Sequence, residues 1–302
     1  MPDRKKAFEQ QLAKVLGAAA MAVYLEPEQK LDATCPDTLK KVEDFIVADP
    51  YFELLNLHRL AGDVPKDIDL PHGFLEDCPA EYAHQVTPTR FRVYYDTPAL
   101  DGFQRGVEIR IEHPGPTEHG HKNPYKQVVK IGGPATREDH TFHRLEISGR
   151  LAAAIPNTKA ESLDDNEKLS SLLKRHIKTE KLRPLQLLVT TRTRIWCHPN
   201  GDPDTIVEFG IDRGQGITVD GYKYPIWQIE PELIRGSDAA VLNTVSERLM
   251  DRFDGALAVN LTSKPTPGYN HLAHVLEQKS GMKARIQRLP VQQFKVLPQL
   301  EA

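Results

Sequence analysis

The chain has 302 residues, of which 39% are apolar and 27% charged. That is enough to build a core for one large domain or two small ones, and it is unlike a disordered tail. Lysine and arginine total 39 against 42 aspartates and glutamates, a net charge of -3, which excludes an overall basic nucleic-acid binder but leaves room for a local basic site. Cys35, Cys78 and Cys197 are too few and too scattered for a disulfide scaffold or a cysteine-based zinc site.

Arg4, Lys5 and Lys6 precede an alanine-rich stretch, as in a signal peptide, but Glu9, Gln10, Gln11 and Lys14 interrupt it. Phe8, Leu12, Val15 and Leu16 keep helical spacing, so residues 1–20 read as an amphipathic N-terminal helix of a cytoplasmic protein. The apolar run 15–25 is about half of the ~20 residues that a membrane span needs. Residues 23–31 read as a short strand, and 37–47 as a helix with Pro36 near its start. Residues 50–88, with five prolines, read as a loop-rich insertion. Strands are predicted at 90–96, 106–112, 125–131 and 142–147, the second and third joined by a polar turn over 113–124. A helix at 166–177 precedes strands at 187–197, 206–211 and 225–234; the turn Asn200-Gly201-Asp202-Pro203 separates the first two. A helix over 239–253, one more after Gly268 and a tail over 280–302 complete the chain. Links this short favour antiparallel pairing, hence an α+β fold in a single domain spanning 1–302.

The strands share one feature. Successive side chains alternate faces, so Glu26, Glu28 and Lys30 lie on one face, as do Arg110 with Glu112, Arg144 with Glu146, and Arg192 with Arg194. Glu208 is in phase with Asp212, and Gln228 with Glu230 and Glu232; Lys130 adds a base. Any one such face is what a wet antiparallel sheet presents to solvent. Here nearly every strand carries it, in Glu and Arg rather than Ser and Thr, and the helices also need an apolar surface to pack on. A sheet closed on itself, charged face inward and apolar face toward flanking helices, meets both demands. Such a lumen suits a polyanion gripped by arginine forks, beside carboxylates that favour hard divalent cations, Mg²⁺ or Mn²⁺. The chemistry implied is phosphoryl transfer to a metal-activated water.

The segment Glu26-Pro27-Glu28-Gln29-Lys30 has the ExExK pattern, and motifs follow it in order: Tyr94-Tyr95-Asp96-Thr97-Pro98-Ala99-Leu100, Gly106 to Arg110, Gln127 to Lys130 and Arg144-Leu145-Glu146. Thr191 to Arg194, Glu208 to Asp212, Glu230-Pro231-Glu232-Leu233, and Ser263-Lys264 with Gly268-Tyr269 complete the series. Together, over about residues 23–272, the chain resembles the CYTH, or triphosphate tunnel metalloenzyme, superfamily. The resemblance implies a closed eight-stranded antiparallel barrel and a triphosphate-bearing small-molecule substrate; from the acidic charge balance and the short apolar run, no nucleic acid or membrane partner is expected. Activities in that family are inorganic and thiamine triphosphatases, class IV adenylyl cyclases and some RNA 5'-triphosphatases. It implies Glu26, Glu28, Glu230 and Glu232 as metal ligands, and Lys30, Arg110, Lys130, Arg144, Arg192, Arg194 and Lys264 as phosphate-binding bases. Glu146 joins the metal site or positions water. The expected activity is metal-dependent hydrolysis of inorganic triphosphate; a cyclase, a nucleotide or thiamine triphosphatase, and a non-catalytic oligophosphate-binding module are the alternatives.

This chain departs from the pattern at Pro27 and Pro231, which remove backbone donors inside the acid pairs, and at Gln228, where many members carry a third acid. Among other candidates, His113, His119 and His121 with Glu118 lie in the polar turn, where solvation explains them as well as metal binding does. Cys197 reads as a packed thiol. Neither a P-loop nor GxSxG nor HExxH occurs.

Overall fold

The computed structural model describes residues 25–55, 84–113, 124–132, 142–159, 163, 167–236, 238–279 and 281–288. The expected N-terminal helix, most of the 50–88 insertion, the turn residues Glu118, His119 and His121, and most of the 280–302 tail lie outside the described residues. The strands are β1 (Leu25–Glu28), β2 (Leu31–Ala33), β3 (Phe52–Leu54), β4 (His84–Asp96), β5 (Val107–Glu112), β6 (Tyr125–Ile131), β7 (Phe142–Leu151), β8 (Arg183–Pro199), β9 (Ile206–Thr218), β10 (Lys223–Arg235) and β11 (Leu257–Val259). The helices are α1 (Pro36–Ala48), α2 (Glu167–Ile177), α3 (Ala240–Arg252), α4 (Thr266–Gln278) and α5 (Met282–Gln287).

The strands form one antiparallel sheet in the order β1-β7-β6-β5-β4-β8-β9-β10-β2-β11, with β3 added on β8. β1, at the head of this path, also pairs with β10, Glu28 opposite Glu232. Among the described residues the sheet therefore has 11 strands rather than the eight expected. The short β2, β3 and β11 are the additions, each only three residues long. β2 arises by division of the single strand expected over 23–31. Glu28 faces Glu232, and Leu31 faces Ile229 in the same register. Between them Gln29 donates its N–H to the Pro231 carbonyl at 2.9 Å, and Pro231 has no N–H to return. The missing donor interrupts the ladder at Gln29-Lys30.

The outer face is apolar and carries the helices. α1 starts at Pro36, where a missing N–H is no loss, with Asp37 favourably placed in the first turn. It buries Leu39, Val42 and Ile46, while α3 buries Leu242, Val245 and Leu249, against Phe209, Ile211 and Ile229 of β9 and β10. Arg248 of α3 forks onto Asp49 just past α1, both hydrogen bonds being 2.9 Å. On the other flank α2 packs Leu169, Leu173 and Ile177 against Ile109, Val129 and Ile147. Each such side chain, once fully buried, contributes about 1.5–3 kcal/mol. The outer cores thus hold the strands so that their charged residues face one another. No helix among the described residues is long and apolar enough to cross a membrane.

Candidate active site

The charged faces of β4, β5, β6, β7, β8 and β10 surround a cavity of about 190 Å³, together with Glu28, Lys30 and the segment Ser263-Lys264-Pro265. Nine bases and six carboxylates line it. At its centre Lys30, on the interrupted ladder and 1% exposed, pairs with Glu230 and lies 3.3 Å from Glu28 Oε1. Arg192 forks onto Asp212, with Nε 3.1 Å from Oδ1 and Nη2 2.7 Å from Oδ2, and also reaches Glu230. Gly210 makes this possible: a Cβ there would stand 2.8 Å from the Arg192 guanidinium carbon. Lys264, just before α4, places Nζ 2.8 Å from Asp212 Oδ2 and 2.5 Å from Glu230 Oε2. A second group lies around Glu112, which takes Arg110 Nη2 at 2.9 Å and Arg92 Nε at 3.2 Å. Lys130 pairs with Glu146, and Arg194 Nε stands 3.3 Å from Glu208.

Interleaved signs keep these groups ionised. Burial opposes the charge on Asp212 and Glu230, but Arg192 and Lys264 beside the first, and Lys264 and Lys30 beside the second, hold both well below the usual carboxylate range. Glu146 is buried too, yet Lys130 and Arg110 bring it down to about 2. Where burial wins, bases weaken: Lys264 falls to about 8 and Arg90 to about 10. Arg110 keeps one donor in reserve, its Nε being buried with no hydrogen-bond partner.

Of the residues predicted from sequence, Glu28, Lys30, Arg110, Lys130, Glu146, Arg192, Arg194, Glu230, Glu232 and Lys264 line this one cavity. The backbones of Glu26 and Arg144 are opposite each other on β1 and β7; their side chains lie outside the described residues. Among the described residues no group of three or more His, Cys, Asp or Glu is arranged to hold a metal ion. Glu230 is committed to Lys30, Arg192 and Lys264. Glu28 and Glu232, opposite in register and both lining the cavity, carry hard oxygen donors of the kind that suit a divalent cation. Sequence reasoning missed Arg90, Arg92, Tyr94, Glu108 and Lys126 as lining residues. Arg90-Phe91-Arg92-Val93-Tyr94 and Lys126 to Lys130 carried the same period-2 signal and needed only to be read in phase. His113 packs edge-on against Tyr125, ring centroids 5.3 Å apart. Burial pushes the Cys197 thiol up to about 12, which suits packing rather than attack.

No family model matches the chain, and no curated protein does. Solved structures do. A candidate adenylyl cyclase from Hippeastrum with a dominant triphosphatase activity is 13% identical over 82% of this chain and 96% of its own, with a TM-score of 0.49. A candidate adenylate cyclase from Bacillus halodurans is 14% identical over 80% and 96%, with a TM-score of 0.45. The Mimivirus capping-enzyme triphosphatase is 12% identical over 81% and 94%, with a TM-score of 0.39. What the cavity does chemically follows from its own side chains.

Proposed function

We propose that the chain is a single tunnel domain that hydrolyses a triphosphate, inorganic triphosphate first among them, with a divalent cation. The observation carrying this reading is the convergence of nine bases on one small buried cavity that also holds carboxylates. Arginine and lysine side chains converging in one cavity suit phosphate oxygens, which arginine forks can meet bidentately. The β1–β10 pairing supports reading β1, β7, β6, β5, β4, β8, β9 and β10 as the eight-stranded wall of the tunnel.

In this reading Arg110, Arg192, Arg194, Lys130 and Lys264, with Arg144, grip the phosphate oxygens. Lys30 holds Glu28 and Glu230 in place as well as contributing charge. Glu28 and Glu232, joined by Glu26, would hold Mg²⁺ or Mn²⁺. The chemistry that a divalent cation supplies in such a site is charge neutralisation on the phosphates and activation of water. Glu146, kept ionised by Lys130, accepts a hydrogen bond from the attacking water. Water adds to a phosphorus atom, the bridging P–O bond breaks with its electron pair going to the leaving phosphate, and the proton that the water loses passes to that phosphate or to solvent.

The test is phosphate release from inorganic triphosphate, with ATP and thiamine triphosphate alongside, in Mg²⁺, in Mn²⁺ and in chelator. Metal-dependent release favouring inorganic triphosphate supports the proposal. Cyclic AMP from ATP and Mn²⁺ would identify a cyclase instead, and tight binding without turnover a binding module. Glu232→Gln should abolish release in a protein that still folds, read by circular dichroism; full activity in that variant would refute the metal assignment.

A further inference from the structure

The inner face of the sheet is charged for only part of its length. In phase with Arg90 and Arg92 on β4 comes Tyr94; in phase with Arg192 and Arg194 on β8 comes Leu188; in phase with Glu230 on β10 come Tyr224 and Ile226. These four form a buried cluster of their own, an apolar wall separate from the cores under the helices. Lys264 reaches the charged length from a strap, residues 260–265, which joins β11 to α4 and is neither helix nor strand. A lysine stem is flexible, so the place of its ammonium depends on where the strap is held. The far end of the strap is anchored on the apolar wall. The Tyr224 hydroxyl donates to Gln186 Oε1 at 2.8 Å, and Gln186 Nε2 donates to the Pro265 carbonyl at 3.2 Å. Gly268 of α4 is pressed onto Gln186, where a Cβ would meet Oε1 at 2.2 Å.

The near end is anchored on Asp32 of β2. Asn260 donates its N–H to the Lys30 carbonyl at 2.8 Å and its Nδ2 to Asp32 Oδ2 at 2.8 Å. Asn260 Oδ1 in turn accepts from the Thr262 N–H and from its hydroxyl, both at 2.7 Å, so the strap folds back on the same side chain. The other Asp32 oxygen, Oδ1, takes Gln228 Nε2 at 2.9 Å. Gln228 is buried, and it lies opposite Asp212 on β9 as well as Asp32 on β2. The position that departs from the sequence pattern, an amide in place of a third acid, thus supplies a donor. One exposed carboxylate ties together partners 196 and 228 positions away.

We infer that Asp32 is a positioning residue, which through Asn260 and Gln228 sets the strap and so holds Lys264 over Asp212 and Glu230. The inference rests on the proposed oligophosphate function and deepens it: Lys264 is in place before the phosphates arrive, which leaves less ordering to be done on binding. Asp32 serves as two acceptor oxygens rather than as a charge. The Asn260 amide is fixed, because Thr262 holds its oxygen. The Gln228 amide is free to turn, because its Oε1 is buried with no hydrogen-bond partner among the described residues. Asp32→Asn therefore keeps both links, with Gln228 turned to accept from the new amide, whereas Asp32→Ala breaks both.

Asp32→Ala, Asp32→Asn and Asn260→Ala test this in the intact chain, each alone and combined with Lys264→Ala, with folding checked by circular dichroism. Affinity and kcat/KM are measured for inorganic triphosphate. The rate at which an amine-reactive reagent labels Lys264 is followed by mass spectrometry without substrate. The expected result is a loss of at least about tenfold in kcat/KM in Asp32→Ala and in Asn260→Ala, near-normal turnover in Asp32→Asn, and faster labelling of Lys264 wherever turnover falls. Added to Lys264→Ala, Asp32→Ala should weaken triphosphate binding no further, since both take the same ammonium from its place. If Asp32→Ala does not fold, Asn260→Ala and Asp32→Asn carry the same comparison. Losses that multiply in the double variant, equal losses in Asp32→Asn and Asp32→Ala, or unchanged labelling overturn the positioning role while leaving the oligophosphate function standing. A wild-type protein that neither binds nor hydrolyses triphosphate overturns that function, and the labelling rates still decide whether Asp32 holds Lys264.

Discussion

The two lengths of the inner face are built on the same strands, at the same alternation and with similar burial, yet they hold opposite chemistries. On β10, Tyr224 and Ile226 pack against other apolar groups, whereas Glu230 is held by Lys30, Arg192 and Lys264. On β8, Leu188 belongs to the apolar cluster and Arg192 to the charged one. Period 2 thus decides which face a residue occupies, and depth along the strand decides what that face does. The apolar length stabilises the fold through burial. The charged length gains little net stability, because desolvation offsets the attraction between ions. Its members are retained as a set, and removing one leaves its partners buried and unmatched.

That contrast can be broken from either end. The largest effect is expected at Arg192. Arg192→Ala takes the fork from Asp212 and one of three cations from Glu230 and should cost about 3–5 kcal/mol in denaturant unfolding, whereas a surface-like pair would lose less than 1. Leu188→Ala opens a void at the apolar end and should cost about 2–5 kcal/mol in the same measurement. A cost near zero would mean that the end is not packed. A pH series sharpens the charged side. Glu146 sits at about 2 in the fold, below the value of roughly 4.3 for a free glutamate. Its ionised form therefore stabilises the protein fully above the free value, and that contribution fades as pH falls from there toward the folded one. Glu146→Gln should flatten this acid limb of the unfolding temperature against pH; an unchanged limb would place the titration elsewhere. The smallest change is Tyr224→Phe, which removes one buried hydrogen bond to Gln186 and should cost about 0.5–1.5 kcal/mol.

Much of this was legible in the chain. β6 begins and ends where alternation does, at Tyr125 and Ile131, and α2 and α3 match their apolar spacing to within a residue. The long strands were cut short because their breakers serve other ends. Gly214 and Gly216 look like stop signals after Ile206 to Ile211, yet β9 runs through them to Thr218. Gly210 and Gly216 make room for Arg192 and Tyr224. β8 likewise begins before Leu187, at Arg183, with Pro184 as its second residue. The division between β1 and β2 could not be read locally, because its cause, Pro231, lies at the far end of the chain. The apolar wall was invisible for another reason: Tyr94, Leu188 and Tyr224 look like any core residues until pairing shows which face they share with the arginines.

The pairing of β1 with β10 also sets the order in which the molecule can assemble. Lys30 and Glu230 are 200 positions apart, and pairings so distant in sequence form late because loop closure must precede the contacts that repay it. A ribosome must release most of the chain before Lys30 meets the acid that neutralises it. Until then the seam is an unpaired strand edge beside uncompensated charge, and charge on such an edge discourages pairing with a neighbouring molecule. The charged cavity and the finished fold thus come into being at the same moment.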